Sequence, residues 1–184
     1  MTLCLGASLA SGHAVAGPDK QADRWDTAST VLAAGLPALA GVATLAQDDM
    51  QGTRQLLLST GSTLVAVEVL KSTVHSTRPD GSDNKSFPSG HTAIAFSAAA
   101  FMDRRYGEQW TQRHGAWTVP ALYGAAALTG IARVEANKHR WRDVLAGAAI
   151  GYAATRFWTE PVAGGQLSVV PAPGGLAVGW MRGY

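Results

Sequence analysis

The sequence predicts an all-α bundle of about five main helices, with its active site at one end and a short C-terminal β-hairpin. Three observations predict it. Residues 27–47, 55–67, 86–102, 115–132 and 144–155 contain no Asp, Glu, Lys or Arg. These segments are rich in Ala, Leu and Gly, lack two-residue alternation, and have lengths that suit helices better than strands. Polar turn signals separate several of them: QDDMQGT after the first, RPDGSDN after the second and RRYGEQ after the third.

Each element can be justified in order. Residues 1–16 read as an export signal, because AVA before Gly17 has the small-x-small form of a cleavage site. Residues 17–160 form the helical domain, and residues 161–184 form a tail or hairpin. Helix A carries Pro37, expected to kink it, while Pro120 falls in the first turns of helix D, where proline is tolerated. Only segment A clearly reaches the roughly 20 apolar residues of a membrane span. The mean hydropathy of +0.04 leaves a compact water-soluble bundle in close competition. GAAIG, Gly147 to Gly151, permits close helix approach but has little weight by itself. Beyond Trp158, two short runs flank APGG and read as a hairpin.

Composition excludes several functions. A net charge of +2 with 15% charged residues gives no nucleic-acid surface. The one cysteine, Cys4, has no partner for an internal disulfide.

The chemistry-bearing residues fall at helix ends. Lys71 and Arg78 close helix B; Pro88, Ser89, Gly90 and His91 open helix C; Arg133 ends helix D; His139 and Asp143 open helix E. In an up-and-down bundle, these ends share one side. Seven of the fifteen Lys and Arg residues lie there: Lys71, Arg78, Lys85, Arg133, Lys138, Arg140 and Arg142. Such a field suits a phosphate dianion, since arginine offers two parallel donors and each charge-assisted bond contributes roughly 1.5–3 kcal/mol. Backbone donors at Ser89 to His91 would shape the pocket. The H-x-x-x-D spacing places His139 and Asp143 one helical turn apart, so the carboxylate can hold one imidazole nitrogen and expose the other. His139 then suits nucleophilic attack on phosphorus, with His91 as general acid.

Other readings compete. Taken alone, PSGH is a capped helix start, and H-x-x-x-D is a surface ion pair. The same pair could supply two metal ligands, but Arg133, Lys138, Arg140 and Arg142 make a cation unwelcome, so no metal is expected. DGSDN fails as a calcium loop because Lys85 and His91 stand where Gly and Glu are required. Ser89 lacks a nucleophile elbow. His75 is expected to be a solvated or packing residue, and His114 to lie solvated in the loop on the far side. Trp141, Tyr152, Phe157 and Trp158 are expected in the core or at an interface.

KSTVHSTRP, PSGH and ARVEANKHRWRD resemble the three-part signature of the type 2 phosphatidic acid phosphatase superfamily, which includes bacterial acid phosphatases and vanadium haloperoxidases. The resemblance covers residues 54 to 158. It implies phosphate contacts from Lys71, Arg78, Ser89, Gly90 and Arg133, general-acid work by His91, attack by His139 and orientation of that nucleophile by Asp143. Ala132 stands where the family has Ser, and the short segment from Asp80 to Phe87 leaves little room for a lid. The implied activity is metal-independent hydrolysis of a phosphate monoester or diphosphate through a phosphohistidine, with a lipid phosphate favoured as substrate. No cofactor is implied, although vanadate can bind as a phosphate analogue. The alternatives are a soluble periplasmic acid phosphatase, a vanadium haloperoxidase, or a non-catalytic helical envelope protein. Membrane association and a bacterial envelope location, with the site on the extracytoplasmic side, complete the expectation.

Overall fold

In the computed structural model, residues 19–162 are described throughout, together with the backbone of residues 166–172 and 175–181. The expected signal segment lies outside the described residues. Five helices follow in order: α1 (Lys20–Ala46), α2 (Met50–Thr73), α3 (Gly90–His114), α4 (Thr118–Glu135) and α5 (Trp141–Trp158). The backbone of β1 (Gln166–Ala172) pairs antiparallel with that of β2 (Gly175–Met181), in the register Gln166 with Met181.

The expected apolar segments are the middles of these helices, and the ends differ for local reasons. Asp19 caps α1 by accepting from the Gln21 and Ala22 amides, so α1 starts about two turns before the uncharged run. The helix continues through Pro37. RRYGEQ, expected to follow the third helix, is instead inside α3, which runs on to His114. Gly107 is tolerated there because a Cβ would lie 2.9 Å from Asp103 Oδ1 and 3.3 Å from Val119, so α3 and α4 meet at that position. His114 is therefore the exposed last residue of α3 rather than part of a loop.

α3 is the central helix. Ala95, Ala98, Ala99, Phe101 and Met102 are all buried, and with Leu36, Leu56, Leu122 and Ala126 from three other helices they form the core. Such small residues leave little side-chain volume to fill, and the helices approach closely. The tightest approach is between α3 and α5. A Cβ on Gly151 would lie 2.9 Å from the Ala93 carbonyl carbon and 2.9 Å from the Ser97 amide, and one on Gly147 would collide with the Ser89 carbonyl oxygen. GAAIG is thus the seam that seats α5 on α3.

At the end away from the expected site, Arg105 donates to both Asp49 carboxylate oxygens at 2.7 and 2.6 Å. Tyr106 adds a third bond at 2.6 Å and the Gly52 amide a fourth at 2.8 Å. Arg105 also reaches the carbonyls of Glu160 and Pro161 at 3.1 and 3.3 Å. This clasp ties the α1–α2 turn, α3 and the segment after α5 together.

Candidate active site

Alternating helix direction brings the N-terminal ends of α1, α3 and α5 to the same side as the C-terminal ends of α2 and α4. The loop between α2 and α3 then folds over the α4–α5 loop. Asp80 takes its backbone bond from its own N–H to the Asn137 carbonyl at 3.1 Å, and Arg140 donates to the Thr77 carbonyl at 2.6 Å. Asn137 adopts a left-handed backbone, with φ of 56°, which turns the chain out of α4. Directly after it, the Lys138 and His139 amides both donate to the Arg133 carbonyl, at 3.1 and 3.2 Å.

His139 therefore precedes α5 rather than opening it. Arg140 is the N-cap, and Asp143 at the third helical position accepts from the Arg140 amide at 2.9 Å. The expected one-turn pair on a helix is thus a loop histidine above a helical carboxylate. The two side chains are almost fully buried, and Nδ1 of His139 lies 3.9 Å from Asp143 Oδ2, beyond hydrogen-bond reach. Asp143 is anchored elsewhere: Oδ2 also accepts from Ser86 Oγ at 2.6 Å. His139 Nδ1 and Asp143 Oδ1 are buried without a hydrogen-bond partner among the described residues.

The same carboxylate helix end holds the start of α3. The Ser89 amide donates to the Asp143 carbonyl at 2.9 Å, and Ser89 Oγ pairs with Thr92 Oγ1 at 2.9 Å. The Ser89 amide and hydroxyl are therefore committed within the protein, and the amides of Gly90, His91 and Thr92 are the donors left open in that turn. A Cβ on Gly90 would sit 3.9 Å from Lys71 Nζ, which places the ammonium against the α3 N-terminus. Arg78, in the loop after α2, is held by Asp83 at 2.8 Å.

Charge acts directly on the two histidines. Burial, then Arg133 and Arg78, lowers His139 to about 3, against the opposing influence of the Ser86 carbonyl and Asp143. Burial, then Arg133, lowers His91 to about 4; Asp26 pulls it upward, while Lys71 and Arg78 add to the depression. These influences favour the neutral form of both rings at pH 7. A neutral imidazole is the form that can attack phosphorus. Protonation of His91 would be favoured by added negative charge beside it, such as that of a phosphate dianion.

Several contributors were not visible in sequence. Asp26, Asp80 and Asp83 each pair with one of the site's cations, namely Arg133, Lys138 and Arg78. Ser86 anchors Asp143. Asp26, Ser29 and Thr30 share one helical face by spacing, a signal available in the sequence. His75 is exposed, and so are Trp141, Tyr152, Phe157 and Trp158, which are surface rather than core residues.

The helix termini at one end of the bundle thus bring together two histidines, a buried aspartate and several cations. The PAP2 superfamily model matches residues 52–162, and the chain belongs to that family. It is 45% identical over 74 residues to the lipid A 1-phosphatase of Porphyromonas gingivalis, a match covering 40% of this chain and 16% of that one. It is 34% identical over 138 residues to the lipid A 4'-phosphatase of Helicobacter pylori, covering 68% of this chain and 65% of that one. The chain thus spans less than two thirds of the length of either relative. Among solved structures, Aquifex aeolicus LpxE aligns with a TM-score of 0.49 and 22% identity, over 73% of this chain and 92% of that one.

Proposed function

We propose that the chain is a phosphohydrolase that removes phosphate from a lipid phosphate through a phosphohistidine on His139. The observation that carries this reading is the meeting of His139, His91, Arg133 and Lys71 at one bundle end, with both imidazoles held neutral. In this mechanism Lys71, Arg78, Arg133 and the Gly90 amide hold the phosphoryl oxygens, while Ser89 shapes the turn beneath them. His139 attacks phosphorus, the bond to the leaving oxygen breaks, and His91 gives that oxygen its proton. Water then attacks phosphorus, His91 takes a proton back, and the bond to His139 breaks. Asp143, 3.9 Å away, holds the attacking ring as charge develops; such contacts tighten on substrate binding.

Lipid is favoured as the substrate carrier by the outer faces of α1 and α2. Val31, Val42, Leu45, Leu57 and Val65 are each more than 60% exposed. An apolar surface of this kind suits a bilayer better than water. α1, at 27 residues, is long and apolar enough to cross one. The relatives' names point to the same substrate class. The working unit is residues 17–160, placed in a bacterial envelope with the site facing outward.

The test is phosphate release from phosphatidic acid and from p-nitrophenyl phosphate by the detergent-solubilised chain, with acid-labile, alkali-stable phosphoenzyme trapped by rapid quench. His139→Ala should abolish both turnover and trapping. Normal turnover by that variant refutes the assignment, and recovery of all activity in the supernatant when membranes are pelleted without detergent refutes the lipid setting.

A further inference from the structure

Every residue given a step or a phosphate contact in the proposed mechanism lies between positions 71 and 143, and the family match begins at residue 52. Two of those residues are nevertheless held by α1, which precedes both limits.

Arg133 is only 3% exposed. Its Nη1 donates to the Asp26 carboxylate and to Ser29 Oγ, the latter at 3.2 Å. Nη1 has two N–H bonds, so α1 takes both. Nε is buried with no partner, and Nη2 makes no hydrogen bond among the described residues. Nε and Nη2 form the parallel-donor edge of a guanidinium, the edge that fits two oxygens of one phosphate. α1 thus occupies the nitrogen outside that edge and leaves the edge free.

The next residue pair reaches His91. Thr30 Oγ1 lies 3.3 Å from His91 Nε2, and the same oxygen lies 3.0 Å from the Asp26 carbonyl. A hydroxyl has one proton, and the shorter of its two contacts is to a carbonyl, which can only accept, so the proton is assigned to the Asp26 carbonyl. With that assignment the hydroxyl accepts from His91, and the imidazole proton sits on Nε2.

We propose that the Asp26–Thr30 turn of α1 is part of the catalytic site: Asp26, with Ser29, is a positioning residue that sets Arg133 to take phosphate on its Nε–Nη2 edge, and Thr30 holds His91 as the Nε2–H tautomer. Asp26 also offsets one of the cationic charges beside the phosphate, which limits how tightly product phosphate is retained. This inference rests on the general-acid reading of His91.

Asp26→Asn keeps an oxygen acceptor for Nη1 and removes the charge. Inorganic phosphate, used as a competitive inhibitor, should bind roughly three- to tenfold more tightly to it, the scale of one screened charge at close range. Thr30→Val removes the acceptor while keeping the shape. Its kcat/KM should fall about tenfold on an alkyl phosphate, the lower end of general-acid contributions being larger still. On p-nitrophenyl phosphate, whose leaving group departs without a proton, it should change less than about twofold. Thr30→Ser should restore the alkyl ester rate. An unchanged inhibition constant in Asp26→Asn, or equal losses on the two esters in Thr30→Val, overturns the proposal. His91→Ala run alongside separates the two layers. If it lacks the ester selectivity, the general-acid reading fails; if it has the selectivity and Thr30→Val does not, only the role of α1 fails.

Discussion

Gly147→Ala adds one methyl group to the seam between α5 and α3. Two effects of opposite sign follow. In an isolated helix the change favours folding by about 0.8–1 kcal/mol, because alanine has less backbone entropy to lose. In the bundle, the new Cβ collides with the Ser89 carbonyl oxygen and lies 3.3 Å from both the Ser89 carbonyl carbon and the Ala93 amide. Both neighbours are backbone, so no rotamer change relieves the contact. Restoring ordinary separations of about 3.5–4.0 Å requires the two helices to part by on the order of 1 Å. Overpacking of this kind costs about 1–3 kcal/mol, so the collision outweighs the propensity gain. The catalytic cost is larger. Ser89 and Asp143 are joined by a backbone bond of 2.9 Å, so separation of α5 from α3 moves Asp143 and His139 away from His91. A misplacement of about 1 Å lowers rate by roughly a hundredfold. Thermal unfolding and kcat/KM on p-nitrophenyl phosphate measure the two consequences. Gly124→Ala is the control, since a Cβ there meets nothing within 4 Å. It should stabilise by about 0.4–1 kcal/mol with activity intact. Equal behaviour of the two variants would refute the seam as the device that sets site geometry.

Asp49→Ala leaves Arg105 buried and unpaired and removes the partner of Tyr106, so it should destabilise by about 3 kcal/mol or more; denaturant titration reads the change. With Asp49 intact, burial alone would raise its carboxyl, but the bonds from Arg105, Tyr106 and Gly52 hold it at about 2. Its contribution is thus complete above 3.8, the unfolded value, and is lost as pH falls towards 2. His139 and His91 act in the same direction. The unfolded chain binds their protons from pH 6.5 downward, while the folded chain resists until about 3 and 4, so stability should decline with acidification across that window. Saturating phosphate should oppose this decline at His91. In kinetics, the alkaline limb of kcat should lie about one pH unit or more above that of kcat/KM, because bound dianion raises His91; coincident limbs argue against His91 as the acid. Millimolar EDTA should leave turnover unchanged, and its loss would overturn metal-independent hydrolysis.

The legible part of this molecule was what depends on periodicity and helix order. Uncharged runs located all five helices, and alternation of direction brought Lys71, Arg78, His91, Arg133 and His139 to one end. Boundaries failed where capping or packing decided them. Asp19 drew four charged residues, Lys20, Asp23, Arg24 and Asp26, into the first turns of α1. Packing of Gly107 against α4 carried α3 through a segment that reads as a turn.

The deeper omission concerns charge balance. Counting seven cations at one end suggested a strongly positive pocket, yet Asp26, Asp80 and Asp83 lie on three of them. Those partners are separated by 107, 58 and 5 residues respectively, and only the last is local enough to infer from spacing. Under the proposed function, a phosphate arriving here does not meet a bare cluster of positive charge. It meets cations already oriented by carboxylates, so much of the geometry for binding exists beforehand, at the cost of weaker attraction. For an enzyme this balance is favourable, since the same charges that recognise substrate phosphate also retain product phosphate. Tight ground-state binding lowers KM without raising kcat, whereas prior orientation helps where charge develops during transfer. In the proposed mechanism, Asp26, Asp80 and Asp83 therefore belong to the catalytic design as much as Arg133, Lys138 and Arg78, which they hold.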